Sequence, residues 1–415
     1  MKILFLTDNF PPEVNAPATR TYEHCKYWVT LGYEVIVLTC NPNFPHGKTY
    51  AGYKNKLYQE EFIDGVKVIR VWSYMTENKG FTKRILDYSS YALMAFFVGI
   101  FQKFDLIIAT SPQFFTTWSA WGISKIKSKP WIFELRDIWP ESLKTVGAMK
   151  HEKVLRFLEK IELGLYRDAE HVIVVTNAFK KNLISRGINK DKISVITNGA
   201  NNKLFNIRPK DEYLLMELKL NNKFIVGYIG THGMAHSLDF IVKSIAKVVD
   251  KEIHFLFIGD GAIKKEIVTL TNKLALENVT FLNPVVKEEV PRYLSICDVS
   301  LAPLKNRDNF KEVIPSKIFE ASAMGKPTLL GVRGEAQNLL EKYNAGMCFL
   351  PEDTDDFLLK LTALKEKKNY LACQQGCVKL ANDYDRGSLA KKMLVIIDKV
   401  VDYTLSTKKV KTSIN

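Results

Sequence analysis

The stretch KFIVGYIGTHGMAHSLDFIVKSIAKVV, residues 223–249, decides how the chain divides. Its first eight residues are mostly apolar and end on Gly230, the pattern of a buried strand running into a turn. A short polar turn follows, and Leu238 to Val249 carries helical periodicity. IHFLFIGDG (253–261), VTFLNPV (279–285), DVSLAPL (298–304) and KPTLLG (326–331) then read as further strands with helices between them.

This is the second such series in the chain. The first begins at KILFLTD (2–8), passes through a helical segment from Thr19 to Leu31, turns at Gly32 and returns as EVIVLT (34–39). GVKVIRVW (65–72), DLIIAT (105–110), WIFEL (131–135), HVIVVT (171–176) and KISVITN (192–198) continue it. Apolar strands alternating with helices mean parallel sheets covered on both faces. The expected fold is therefore α/β: two Rossmann-like, doubly wound domains facing a cleft at the carboxyl ends of their strands. We place the first domain at residues 1–205 and the second at 206–386, with the polar segment 200–222 as linker. A last helix, 387–405, is expected to cross back to the first domain.

Composition agrees with two packed cores. Of 415 residues, 47% are hydrophobic and 25% charged, which argues against disorder. The net charge is +14, spread as +8 over residues 1–200 (27 basic, 19 acidic) and +6 over the rest (32 basic, 26 acidic). An even basic excess suits phosphates or an anionic membrane surface. There is no basic stripe and no helix-turn-helix, zinc or RNA-recognition motif, so nucleic acid is not an expected partner. The six cysteines have no metal-ligand spacing with histidine; Cys373 and Cys377 form a lone CxxxC. The first residues have too short an apolar run for a signal peptide, and the cysteine usage fits a reducing cytoplasm. The longest apolar run, Tyr91 to Phe101, is well under the ~20 residues that span a bilayer.

Chemistry concentrates in KEVIPSKIFEASAMGKP, residues 311–327. Pro315 ends a strand-like run, Ser316 is a candidate N-cap, and Gly325 with Pro327 would close the helix. Lys317 then stands in the first turn, against the positive end of the helix dipole. A bound phosphate would reverse that cost. Glu320 lies one turn on, placed to accept from ribose or sugar hydroxyls, and Glu312 could reach a second sugar. The same spacing also fits a solvated lysine between two surface carboxylates.

Other candidates lie at strand ends. Gly230, Thr231, His232 and Gly233 form a turn whose backbone N–H groups could meet a phosphate. His232 and His236 have i, i+4 spacing, but the intervening glycine turn argues against a metal pair. In FELRDIWPES (133–142), Glu134, Arg136 and Asp137 are either helix-capping charges or a catalytic cluster. Asn15 lies in a proline-rich first loop, and Arg20 is a further cation at a helix start. Segments 79–101 and 113–129 combine basic ends with apolar and Trp-rich stretches, which fits either core helices or a membrane-surface face.

Taken together these residues resemble the retaining family-4 glycosyltransferases of GT-B fold. Glu312 through Glu320 match that family's E-x7-E pattern, and VITNGANNKLF (195–205), IGDG (258–261) and VPRYLSICDVSLAPL (290–304) fall in its order. FPPEVNAPATRTYEH and FELRDIWPES resemble a subgroup of bacterial O-antigen and capsule enzymes that includes N-acetyl-L-fucosamine transferases. The resemblance implies an acceptor-binding first domain, with Asn15 and Arg20 on the acceptor side, and a nucleotide-sugar-binding second domain. It implies that Glu320 holds the ribose, Lys317 the pyrophosphate and Glu312 the donor sugar. Ser316, Gly230, Thr231, His232 and Gly233 would also be donor-binding. Arg136 and Asp137 stand where the family usually has a histidine, and would be catalytic. His232 and His236 stand where many members carry Arg and Lys, and Asn15-Ala16 where many carry Gly-Gly. The implied partners are a UDP-sugar and a lipid-diphosphate-linked saccharide, at the cytoplasmic face of the membrane, with no cofactor or metal. A UDP-sugar 2-epimerase of the same fold and a non-catalytic sugar-nucleotide-binding scaffold are the alternatives.

Overall fold

The computed structural model describes residues 1–44, 46–76, 81–111, 114–138 and 152–414, with 81–82 and 407–414 described in backbone only. Trp139 and Pro140, and the beginning of segment 79–101, lie outside the described residues. The chain forms two compact units, Met1–Thr197 with Gly387–Asn415, and Asn198–Arg386.

The first unit holds β1 (Lys2–Leu6), β2 (Glu34–Cys40), β3 (Tyr58–Ile63), β4 (Val66–Val71), β5 (Leu106–Thr110), β6 (Trp131–Leu135), β7 (His171–Val174) and β8 (Ile193–Val195). Their order in the sheet is β3-β4-β2-β1-β5-β6-β7-β8. Every pairing is parallel except β3 with β4. Alternation along β1 shows why both faces are apolar. Leu4 and Leu6 enter one core, beneath the helices Phe81–Gly99, Phe114–Lys127 and Glu152–Asp168. Ile3 and Phe5 enter the other, beneath the helices Ala16–Thr30 and Arg386–Ile414.

The strand β3 escapes the apolar-run reading because YQEEFI carries two glutamates. It is an edge strand joined to β4 by the Asp64-Gly65 turn, both residues at positive φ (49° and 81°). An Asp-Gly pair between extended segments is the sequence signal for such a hairpin. On the opposite face, the last helix is fastened by Leu389, Ala390, Met393, Leu394 and Ile397, all buried beside Phe5 and Trp28. The Trp28 indole Nε1 donates to the Ala390 carbonyl at 2.9 Å. Its backbone is helical to Ile414, beyond the 387–405 read from periodicity.

The second unit holds β9 (Phe224–Ile229), β10 (Ile253–Ile258), β11 (Val279–Leu282), β12 (Val299–Pro303), β13 (Thr328–Gly331) and β14 (Gly346–Cys348). The order is β11-β10-β9-β12-β13-β14, all parallel. The strand order reverses between β9 and β12, so the loops leaving their carboxyl ends flank a crevice suited to a ligand.

One boundary needs correction. Segment 200–222 is not a linker but part of the second unit: Ala200, Phe205, Leu214, Leu215 and Leu220 are buried in its core. The division falls at Thr197–Asn198 rather than after residue 205. The polar residues of the segment misled because they occupy its outer face. All six cysteines are free thiols. Among the described residues, no helix is long and apolar enough to cross a membrane.

Candidate active site

The loops that leave β9 and β10 pack backbone against backbone. Gly230 N–H donates to Ile258 O and His232 N–H to Asp260 O, both at 2.8 Å. Ile263 N–H returns to His232 O at 3.1 Å. The approach is possible only without side chains. A Cβ on Gly259 (φ +145°) would lie 1.9 Å from Gly230 O, and one on Gly261 (φ +158°) 2.4 Å from His232 O. Two of the four turn N–H groups are thereby consumed; those of Thr231 and Gly233 have no partner among the described residues.

Lys317 rises against this turn. It opens the short helix Lys317–Ala323, and Gly325 (φ 64°) ends it as the sequence indicates. Ser316 is not a side-chain cap: it has helical dihedrals (φ −61°, ψ −24°) and makes no capping hydrogen bond. Its preceding Pro315 accepts the first turn's bond through the main chain instead, from Ile318 N–H at 3.2 Å. The Lys317 ammonium lies 3.8 Å from the centroid of the Tyr228 ring. A Cβ on Gly230 would come within 3.0 Å of that nitrogen. Among the described residues no carboxylate or carbonyl pairs with it. Burial pushes its pKa down to about 7, with Glu320 opposing the shift.

Two histidines flank the same tyrosine, with ring centroids 5.6 Å (His232) and 6.1 Å (His236) from it. His232 is wholly buried, and among the described residues neither of its ring nitrogens has a hydrogen-bond partner. Burial, then Lys264 and Lys317, lower its pKa to about 4; burial and Lys317 do the same for His236. Both imidazoles are therefore neutral at pH 7. No group of described residues has the makings of a metal site.

Glu320 sits one turn beyond Lys317, and its Oε1 is held by the Lys287 ammonium. Lys287 also lies over the Phe205 ring, 4.8 Å from its centroid. Sequence reasoning missed Lys287, since nothing within VVKEEV distinguishes it from a surface lysine. Glu312 ends the turn Asp308–Glu312 and is half-buried.

In the first unit the candidates separate. Asn15 caps its helix, accepting from Ala18 N–H at 2.9 Å. Arg20 is not an open cation at a helix start. It is 2% exposed and bonds Glu134 Oε1 (3.1 Å), Thr197 O (2.6 Å) and Ile196 O (3.0 Å). Glu134 is accordingly drawn away from the charges that follow it. Arg136 and Asp137 are half-buried, and their main-chain N–H groups meet Ser111 Oγ at 2.9 and 3.4 Å.

The two halves of the chain also match known families. Residues 17–203 match the model described as Glycosyltransferase Family 4, and residues 223–367 the model described as Glycosyl transferases group 1. Both halves are glycosyltransferase domains. The glycosyltransferase is 23% identical over 387 residues to the putative colanic acid biosynthesis glycosyl transferase WcaI of Escherichia coli K12, covering 90% of this chain and 94% of that protein. It is 25% identical over 232 residues to the probable glycosyltransferase WbjE of Pseudomonas aeruginosa, covering 54% and 56%. Its fold is GT-B. The structure of Anabaena Alr3699/HepE with UDP and glucose superposes with a TM-score of 0.72 at 19% identity, over 96% of this chain and 100% of that one. WaaG, a glycosyltransferase involved in lipopolysaccharide biosynthesis, gives 0.69 at 13% identity, over 95% and 99%.

Proposed function

We propose that this glycosyltransferase moves a sugar from a UDP-sugar to a lipid-linked saccharide during synthesis of bacterial surface polysaccharide, with retention and without a metal. The observation that carries the reading is Lys317, a half-buried ammonium against an aromatic face with no carboxylate bonded to it among the described residues. A diphosphate supplies the missing charge. Support for UDP comes from the Anabaena neighbour, solved in complex with UDP, and for polysaccharide from WcaI, named for colanic acid biosynthesis. N-acetyl-L-fucosamine, from the subgroup resemblance, is the first sugar to test.

The roles follow from the chemistry. The bond from the sugar's anomeric carbon to the diphosphate oxygen breaks, leaving positive charge on the sugar and negative charge on the diphosphate. Lys317 and the N–H groups of Thr231 and Gly233 stabilise the latter; groups fixed in advance around a developing charge usually contribute most to the acceleration of such reactions. The acceptor oxygen bonds the anomeric carbon on the same face, and its proton passes to the leaving phosphate. Glu320 accepts from the ribose and Glu312 from the donor sugar. Arg136 and Asp137 serve the reacting sugar. Asn15 and Arg20 act on the acceptor side by shaping the first loop.

We place the enzyme in the cytoplasm, on the inner face of the membrane. The helix Phe81–Gly99 buries Tyr91, Ala92 and Ala95 and leaves Leu86, Leu93 and Phe97 exposed along one stripe. Phe101, Trp118 and Trp121 are exposed nearby in the chain, and Lys83, Arg84 and Lys125 are exposed basic neighbours. An apolar stripe with basic flanks fits an anionic lipid surface. Changing Leu93 and Phe97 together to Glu should cut co-sedimentation with phosphatidylglycerol vesicles about tenfold or more and leave the melting temperature nearly unchanged.

The transfer itself is tested by incubating the protein with a panel of UDP-sugars, with and without lipid-diphosphate saccharides in vesicles, and reading products by mass spectrometry. Acceptor-dependent transfer is expected; epimerisation without acceptor would overturn the reading. Donor binding should also depend on pH. Only protonated Lys317 pairs with a diphosphate, and a bound diphosphate raises its pKa. Affinity for UDP-glucose, whose diphosphate does not titrate here, should hold below pH 7 and fall above it, by up to about tenfold per pH unit. Calorimetry in buffers of different ionisation enthalpy should show proton uptake on binding near pH 7.5.

A further inference from the structure

Lys287 stands on the loop after β11 and reaches the carboxylate of Glu320, on a different element. The two side chains are only 24% and 16% exposed, so this is not a pair loosely solvated at the surface. Phe205, itself 2% exposed and fixed in the core, lies against the ammonium and limits where it can go. A carboxylate offers two oxygens, each able to accept more than one hydrogen bond. Lys287 takes Oε1, and among the described residues no group donates to Oε2. The result is a carboxylate with one oxygen tethered and the other open.

We propose that Lys287 is a positioning residue for ribose recognition: by holding Oε1 it fixes the Glu320 carboxylate so that Oε2 meets a ribose hydroxyl, and so sets the preference for ribonucleotides over deoxyribonucleotides. The inference rests on the assignment of Glu320 to the ribose made above. A charged hydrogen bond to a hydroxyl discriminates only if the acceptor is held in place; a carboxylate free to rotate finds water when the hydroxyl is absent. Lys287 supplies the hold, because it ties the one oxygen that would otherwise let the group swing. The competing arrangement is a latch, in which Lys287 occupies the ribose site and must leave before the nucleotide enters. The two predict opposite effects of removing the ammonium.

The test is calorimetry on the full chain with UDP, 2′-deoxy-UDP and 3′-deoxy-UDP, for the wild type, Lys287→Met, Lys287→Arg and Glu320→Gln. The wild type should prefer UDP over at least one deoxy form by about tenfold or more. Lys287→Met should bring that preference to about threefold or less, by weakening UDP and leaving the deoxy form nearly as it was. Lys287→Arg should recover most of it, which a merely structural role would not require. Circular dichroism and melting of Lys287→Met should match the wild type. Wild-type discrimination in Lys287→Met, or tighter UDP binding, overturns the proposal. If Glu320→Gln alone loses discrimination while Lys287→Met keeps it, the ribose assignment stands and this inference fails. If both variants keep it, or if UDP does not bind at all, the assignment under the proposed function falls as well.

Discussion

Lys317→Ala should leave a folded protein whose sugar transfer is slower by about 10²–10³-fold, the range found when one preorganised donor to a developing anion is removed. The loss should fall on kcat, because charge on the leaving diphosphate grows as the anomeric bond breaks, and donor affinity should weaken with it, because the same ammonium pairs with the diphosphate before reaction. Stability should not suffer. Lys317 makes no hydrogen bond or ion pair within the described residues, and burial holds its pKa at about 7, below its unfolded value. A lysine depressed on folding binds fewer protons in the native state, so it opposes folding at low pH and this cost fades as pH rises from about 7 towards the unfolded pKa. Removing it therefore relieves a cost at pH 6–7. Lys317→Arg should recover only part of the rate, since a broad, delocalised guanidinium does not reproduce the compact point charge that Lys317 sets beside Gly230. The outcome that sinks the assignment is near-normal kcat in Lys317→Ala with a normal melting curve.

The features that were legible in the sequence are those written in local pattern. Each parallel strand is an apolar run because helices cover both faces of its sheet, and the restart at Lys223–Gly230 shows directly as a second series. The helical run between Pro315 and Gly325 placed Lys317 and Glu320 one turn apart because one short helix carries both. What stayed hidden depends on contact between distant elements. Lys287 finds Glu320 across 33 positions, and Arg20 finds Glu134 across 114. No periodicity records such pairs. Segment 200–222 was misjudged for a related reason: a few apolar residues, Phe205, Leu214, Leu215 and Leu220, anchor it among many polar ones, and composition averages them away. The short β14 carries only three residues, too few to show a period.

Arg20 gives the largest expected effect on stability. Its guanidinium and the Glu134 carboxylate are 2% and 1% exposed, so both charges have left water. They are tolerable together because Arg20 also satisfies the carbonyls of Ile196 and Thr197, the last residues of the first unit before the chain enters the second. In Arg20→Met the carboxylate remains buried without its counter-charge, and two carbonyls lose their donor. Breaking one partner of a buried pair costs about 3–5 kcal/mol. The melting transition of the first unit should drop accordingly, and expression should fall with it. Glu134→Gln should cost less, since the amide oxygen still accepts from Arg20 and the guanidinium keeps two carbonyl acceptors. The double change Arg20→Met, Glu134→Leu should recover part of the loss, because it removes both charges at once and fills the space with apolar atoms. Equal melting temperatures for Arg20→Met and the wild type would place the guanidinium in solvent and return Arg20 to the role of an open cation.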